Sequence, residues 1–137
     1  MASAQKSGPK LNLSDPSTGK TRSITLTPQQ FMIFRGKRIG DRIDASALEL
    51  PKGVIEITGG SDSSGFPMRW DVGGPRLARI VLTKGTGFRA RRRPPSKAKK
   101  RRNRRSVEGL RKRVTVRGNV IGDQTSQINA VLLGEAK

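Results

Sequence analysis

From Arg76 to Arg117 the chain carries 18 Lys or Arg and a single acid, Glu108, a net of +17 within 42 residues. The whole chain has a formal charge of +19, so everything outside this stretch contributes only +2. Inside it, Arg89 to Arg105 holds no hydrophobic side chain larger than Ala. Such a segment has too little apolar area to offset the entropy of ordering it, and its charges repel one another. Alone in water it is expected to be extended and mobile, with Pro94 and Pro95 opposing a continuous helix. Any core must therefore come from the residues on either side. With 32% hydrophobic residues and 4% aromatic ones, that core is small.

A polyanion orders a segment of this kind, because each phosphate neutralised by a cation releases condensed counterions. Arginine adds a planar fork for phosphate oxygens and a face that stacks on bases. The sequence therefore assigns phosphate contact to Arg89, Arg91, Arg92, Arg93, Lys97, Lys99, Lys100, Arg101, Arg102, Arg104 and Arg105. Arg111, Lys112, Arg113 and Arg117 extend that surface, and Arg69 and Arg76 are further candidates. A short basic cluster is often only solvated surface or a nuclear-localisation address, but 17 net charges in one stretch create a field that recruits nucleic acid. Acidic membrane is the weaker competitor, since the stretch has neither an apolar face nor a lipidation site.

Other chemistry is narrowed by what the chain lacks. There is no Cys, no His and no Tyr. Zinc sites of the usual kind, thiolate nucleophiles and imidazole bases are excluded, and disulfides with them. A hard cation on carboxylate oxygens is conceivable, but the acids are few and scattered, so no cofactor or metal is expected. Ser61, Asp62 and Asp71 are the only loose candidates for catalysis, without a recognisable nucleophile and base, so no enzyme and no small-molecule substrate is expected. No run of about 18 apolar residues occurs, and Met1 to Pro9 is polar and small rather than a signal-peptide core. A soluble, cytoplasmic protein that binds no membrane and forms no homo-oligomer is the expectation. Charge alone leaves two nucleic acids open: RNA in a structural role, or DNA in the manner of a chromatin-type basic protein.

Outside the basic run, short stretches alternate with period two. Leu11 and Leu13 share one face and Ile24 and Leu26 repeat the pattern, with the turn-forming Asp15-Pro-Ser-Thr-Gly19 between them. Residues 10–27 thus read as a β-hairpin. Thr27-Pro28 reads as an N-cap with Pro at the first helical position, opening a short helix that places Phe31 and Phe34 on one side and ends at Gly36. Further strands are predicted over Ile39–Ala45, Val54–Ile57 (stopped by Gly59-Gly60), Arg79–Thr83, Val114–Val116 with Val120-Ile121 continuing or restarting it, and Ile128–Leu133; Ser46–Leu50 is a brief helical turn. The fold class is mainly β: a small barrel-like or twisted antiparallel sheet of about six strands, with one or two short helices. Strands on both sides of the basic run make it a long loop emerging from the fold. The expected organisation is a flexible extension over 1–9, a mainly β nucleic-acid-binding domain over 10–88 and 110–134, and an extended basic loop over 89–109.

Thr58-Gly-Gly-Ser-Asp-Ser-Ser-Gly-Phe-Pro-Met-Arg-Trp-Asp-Val72 stands apart from these strands. Its glycines permit close backbone approach or an anion-binding concavity, but no Gly-Lys-Ser/Thr follows, so it is not a nucleotide-binding P-loop. Asp62 and Asp71 sit beside Gly and Ser as turn residues do. The alternation of Phe66, Met68 and Trp70 suits a strand edge, with Trp70 either packed or stacked on a base. The run Gly59 to Met68 resembles the Gly-Gly-x-Asp-x-x-Gly-Phe-Pro-Met signature of the ribosomal protein S6e family. Arg111-Lys-Arg-Val-Thr-Val-Arg-Gly-Asn119 is similar to that family's basic Arg-Lys-x-Val-Arg-Gly element. Leu11-Asn-Leu-Ser-Asp-Pro16, Ile39-Gly-Asp-Arg-Ile-Asp44 and Gly87-Phe-Arg are weaker matches in the family's order, and the resemblance spans about Lys10 to Leu133. It implies a mainly β structural protein on small-subunit ribosomal RNA beside other small-subunit proteins, with no enzymatic activity. The long C-terminal helix and phosphorylated serines of the eukaryotic members have no counterpart here, so the short archaeal form is implied. The stretch from Pro94 to Glu108 is longer than the family pattern requires.

Overall fold

In the computed structural model, residues 8–50, 53–88 and 109–134 are described. The 1–7 part of the predicted extension and the basic residues from Arg89 to Arg105 lie outside them. The strands are β1 (Lys10–Asp15), β2 (Lys20–Thr25), β3 (Arg42–Asp44), β4 (Val54–Asp62), β5 (Leu77–Leu82), β6 (Lys112–Arg117) and β7 (Thr125–Leu133). One helix, α1 (Pro28–Phe34), and one 3-10 turn (Ala45–Leu48) complete the described elements.

The first hairpin and its helix follow from local chemistry. Asp15 accepts hydrogen bonds from Ser17 N (3.0 Å), Ser17 Oγ (2.6 Å) and Thr18 Oγ1 (2.8 Å), which closes the turn between β1 and β2. At the start of α1, Thr27 Oγ1 accepts from Gln30 N while Gln30 Oε1 accepts from Thr27 N, a reciprocal capping box with Pro28 just inside it. Phe34 is fully buried and Phe31 packs against the same core.

The fold is mainly β, as the alternation predicts, but the strands divide into two open sheets. The larger has the order β2-β1-β7-β4-β3, and the smaller is the antiparallel pair β5-β6. Within the larger sheet β1 and β7 run parallel, with Leu11 opposite Ile128 and Leu13 opposite Ala130, so the sheet is not purely antiparallel. Leu11, Leu13, Ile55, Ile57, Ile128 and Ala130 point to one face and bury there beneath Phe34, Leu48 and Ile121. A second, smaller cluster forms under the β5-β6 pair from Val72, Leu82 and Val116, supported by Ala78, Ile80, Phe88 and Val114.

Three predicted strands end elsewhere. Gly59-Gly60 does not stop β4; the strand runs through both glycines to Asp62, pairing Gly59 with Asn129 and Gly60 with Ile128. The register shifts between Ile57 and Gly59, and Thr58 Oγ1 there donates to Asn129 O at 3.0 Å. A Cβ on Gly60 would collide with the Gln127 carbonyl, so the glycine marks close strand approach and not a break. The stretch Ile39–Ala45 contributes only the three residues of β3, and Val120 forms an isolated bridge with Arg38.

Candidate nucleic-acid interface

The basic segment enters the fold at one place. β5 and β6 pair from Leu77 opposite Arg117 to Leu82 opposite Lys112, so residues 83–111 form the connection of this hairpin. The pair has two faces. Ala78, Ile80, Leu82, Val114 and Val116 turn inward onto the small core. Leu77, Arg79 and Val81 turn outward, with Thr115 and Arg113 across from Arg79 and Val81. Val81 is 54% exposed, and Arg79 and Arg113 are exposed on the same face.

Of the sequence-predicted contacts, Arg111, Lys112 and Arg113 lie exposed where the hairpin leads into the basic segment. Arg76 is exposed just before β5, its Nε 3.4 Å from Gly73 O. The structure adds Arg79 to this surface, and also Lys84, exposed in the same connection. Strand alternation from Leu77 was the signal for Arg79, since its neighbours Ala78 and Ile80 carry the apolar side.

Arg117 and Arg69, two further sequence-predicted contacts, also bond within the fold. The Arg117 guanidinium places Nε 3.1 Å and Nη2 3.0 Å from Asp62 Oδ2, while Nη1 donates to Pro75 O at 3.0 Å. Its side chain is 12% exposed and that of Asp62 is fully buried. Asp62 spends its other oxygen on Ser64 N and Phe66 N, both at 2.9 Å. The turn chemistry expected of Asp62 is present, together with an ion pair the sequence did not show. Arg69 lies with Nε 2.7 Å from Asp71 Oδ1, and its Nη1 donates to Thr86 O at 2.8 Å. Each guanidinium thus donates within the fold, Arg117 to Asp62 and Pro75 and Arg69 to Asp71 and Thr86. Of these partners, Asp62 and Thr86, 55 and 17 residues away, are met only through the fold.

These contacts make the Gly-rich segment a splice between the sheets. On one side, Met68 N donates to Gly60 O at 2.9 Å; on the other, Arg69 N donates to Arg117 O and Arg117 N to Pro67 O, each at 2.9 Å. Met68 is buried among the side chains of the larger core. Gly118 sits so close to Gly74 that a Cβ would strike its carbonyl oxygen. The two segments that carried the family resemblance are thus in contact with each other, and together they mount the β5-β6 pair on β4. The candidates for acid-base work are engaged here too: Asp62 and Asp71 are ion-paired, and Ser61 lies in β4. Among the described residues, no three acidic side chains converge on a metal-sized site, and no helix is long and apolar enough to cross a membrane.

A family model described as Ribosomal protein S6e matches residues 9–137. The chain is similar to proteins named small ribosomal subunit protein eS6. That of Haloquadratum walsbyi is 37% identical over 118 residues, which cover 86% of this chain and 64% of that protein. That of Halorubrum lacusprofundi is 42% identical over 120 residues, covering 88% and 78%. The Pyrobaculum calidifontis protein is 43% identical over 130 residues, covering 90% and 76%. The chain thus spans just under two thirds of the first of these relatives and about three quarters of the other two.

Proposed function

Since the chain belongs to the ribosomal protein S6e family, whose members are structural proteins of the small ribosomal subunit and not enzymes, we propose that it is such a constituent and binds small-subunit rRNA through the basic segment between β5 and β6. Its place would then be the cytoplasm, with rRNA and neighbouring small-subunit proteins as partners. The observation that carries this reading is the insertion of a polycation into a hairpin whose base is itself basic and exposed at Arg111, Lys112 and Arg113. The larger sheet acts as a body, the β5-β6 pair as a stalk, and Arg89 to Arg105 as the part that meets phosphate. Phosphate contacts position a protein without reading sequence, so specificity rests on RNA shape.

Filter binding at fixed salt, comparing folded small-subunit rRNA with duplex DNA, tests it. The rRNA is expected to bind more tightly, and equal binding would favour the chromatin-type alternative. The log–log dependence of affinity on salt is expected to have a slope of several units, about 0.7–0.9 per phosphate neutralised. Replacing residues 89–108 by a neutral Gly-Ser linker is expected to remove most of that slope while leaving the larger sheet folded. A slope unchanged by the replacement would mean that the segment is not what binds.

A further inference from the structure

We infer that Trp70 is a stacking platform for one unstacked base of the RNA. The inference rests on the RNA-binding reading and names a contact that the charge does not predict. The chain has four Phe and a single Trp. Phe34 is buried and Phe31, Phe66 and Phe88 are half-buried, whereas Trp70 is 68% exposed.

Its mounting is rigid. On the preceding side Arg69 N donates to Arg117 O, and the Arg69 guanidinium is held by Asp71 and the Thr86 carbonyl. Asn119 Nδ2 donates to Trp70 O at 3.3 Å, and Asn119 N donates to Val72 O at 2.8 Å. An aromatic side chain presented on a fixed backbone loses little freedom on binding, which is the condition under which a single contact contributes appreciable affinity.

The surroundings select the kind of partner. Aromatic anchors of protein interfaces sit within apolar patches ringed by further contacts. Trp70 is followed in the same loop by exposed Gly73, Pro75 and Arg76, and Asn119, which holds its carbonyl, is bonded to Ile39, next in sequence to exposed Arg38. Asp71, the nearest acid in sequence, is neutralised by Arg69. A largely exposed indole on a loop that also carries an exposed cation, Arg76, suits a nucleobase stacked from a phosphate backbone.

Because Trp70 is the only Trp, its emission reports the contact directly. The probes are folded small-subunit rRNA, a twelve-nucleotide oligoadenylate, and an abasic oligomer of the same length and charge. The rRNA and oligoadenylate are expected to quench the indole emission and shield it from acrylamide, and the abasic oligomer is not. Trp70→Ala is expected to weaken oligoadenylate binding on the order of tenfold, with unchanged salt slope and unchanged affinity for the abasic oligomer. Trp70→Phe is expected to recover part of the loss, and both variants to melt with the parent. Emission unchanged at saturating rRNA, equal quenching by the abasic oligomer, or full affinity in Trp70→Ala would each overturn the stacking inference while leaving the RNA reading intact. Emission that shifts with assembled small subunits but not with naked rRNA would assign Trp70 to a protein neighbour and overturn it as well. Absence of any salt-dependent binding by the parent chain would instead remove the RNA reading on which the inference stands.

Discussion

In the larger sheet, β1 and β7 bring together residues such as Asn12 and Asn129, which are 117 positions apart, and the interior is apolar from Leu11 through Ile57 to Ile128. In the smaller sheet, β5 and β6 are consecutive described strands, and only Val72, Leu82 and Val116 are buried beneath them. A two-stranded hairpin is at best marginal by itself in water, and three or more strands or a covering layer are usually needed. Here the missing support comes from polar contacts: the Asp62–Arg117 pair, the backbone bonds of Pro67 to Arg69, and the Gly118–Gly74 approach. One region is held by burial and the other by being fastened to the first. A polycationic connection repels itself, so the hairpin that carries it gains most from a fixed anchor.

The largest expected effect comes from breaking that anchor. Asp62→Ala leaves the Arg117 guanidinium nearly buried without its partner and also opens the 62–66 turn. A loss of about 3–5 kcal/mol is expected, measured by urea unfolding. Hydrogen exchange is expected to show the amides of β5 and β6 losing protection first. If β1 and β7 lose protection equally, the two sheets are one cooperative unit and the hairpin is not separately fastened. A smaller pair of changes sharpens the same contrast. Ile55→Ala in the larger core and Leu82→Ala in the smaller one delete similar volumes, and each is expected to cost about 2–5 kcal/mol, with Leu82 at the low end because its thin layer can collapse. Ile55→Ala is expected to lower protection everywhere and Leu82→Ala mainly in the hairpin; the reverse order would put the stability of the protein in the smaller sheet.

The smallest effect concerns the turn at Asp15. The Ser17 hydroxyl, and after it the Thr18 hydroxyl, hold the carboxyl below its ordinary pKa. The folded state therefore favours the ionised form, and the turn's contribution is present above the usual aspartate range and lost as pH falls through the lowered folded value. Acid titration followed by NMR is expected to show the β1-β2 turn loosening at low pH, with Asp15→Asn removing the pH-dependent part. Because Asp15 is exposed, solvent screens the effect. An unchanged acid titration in Asp15→Asn would show that this turn is held by its backbone alone.

What the sequence made legible was local. Period-two alternation located β1, β2, β7 and the cores of β4, β5 and β6, and Thr27-Pro28 located α1. Which strand pairs with which was not legible, because Leu11 alternates in the same way whether its neighbour is parallel or antiparallel. Gly59-Gly60 carried two meanings, turn and close approach, and only the Gln127 carbonyl decides between them. In the candidate interface, the exposure of Arg111, Lys112 and Arg113 was legible from density of charge alone. The ion pairs of Arg69 and Arg117 were not, because a cation's partner is set by the three-dimensional path of the chain. Trp70 was ambiguous for the same reason: exposure of a lone aromatic depends on what folds over it.

The position of β7 has a consequence for the order of events during synthesis. β7 is the middle strand of the larger sheet, bonded to β1 on one side and β4 on the other, yet it is the last described strand to leave the ribosome. Until residues 125–133 have emerged, β1 and β4 have no common neighbour, and the larger core stays open. Chains are made from the N-terminus, so the polycation precedes the strand that completes its own platform. A nascent chain of this sequence therefore offers its charge to the cell before it has finished folding.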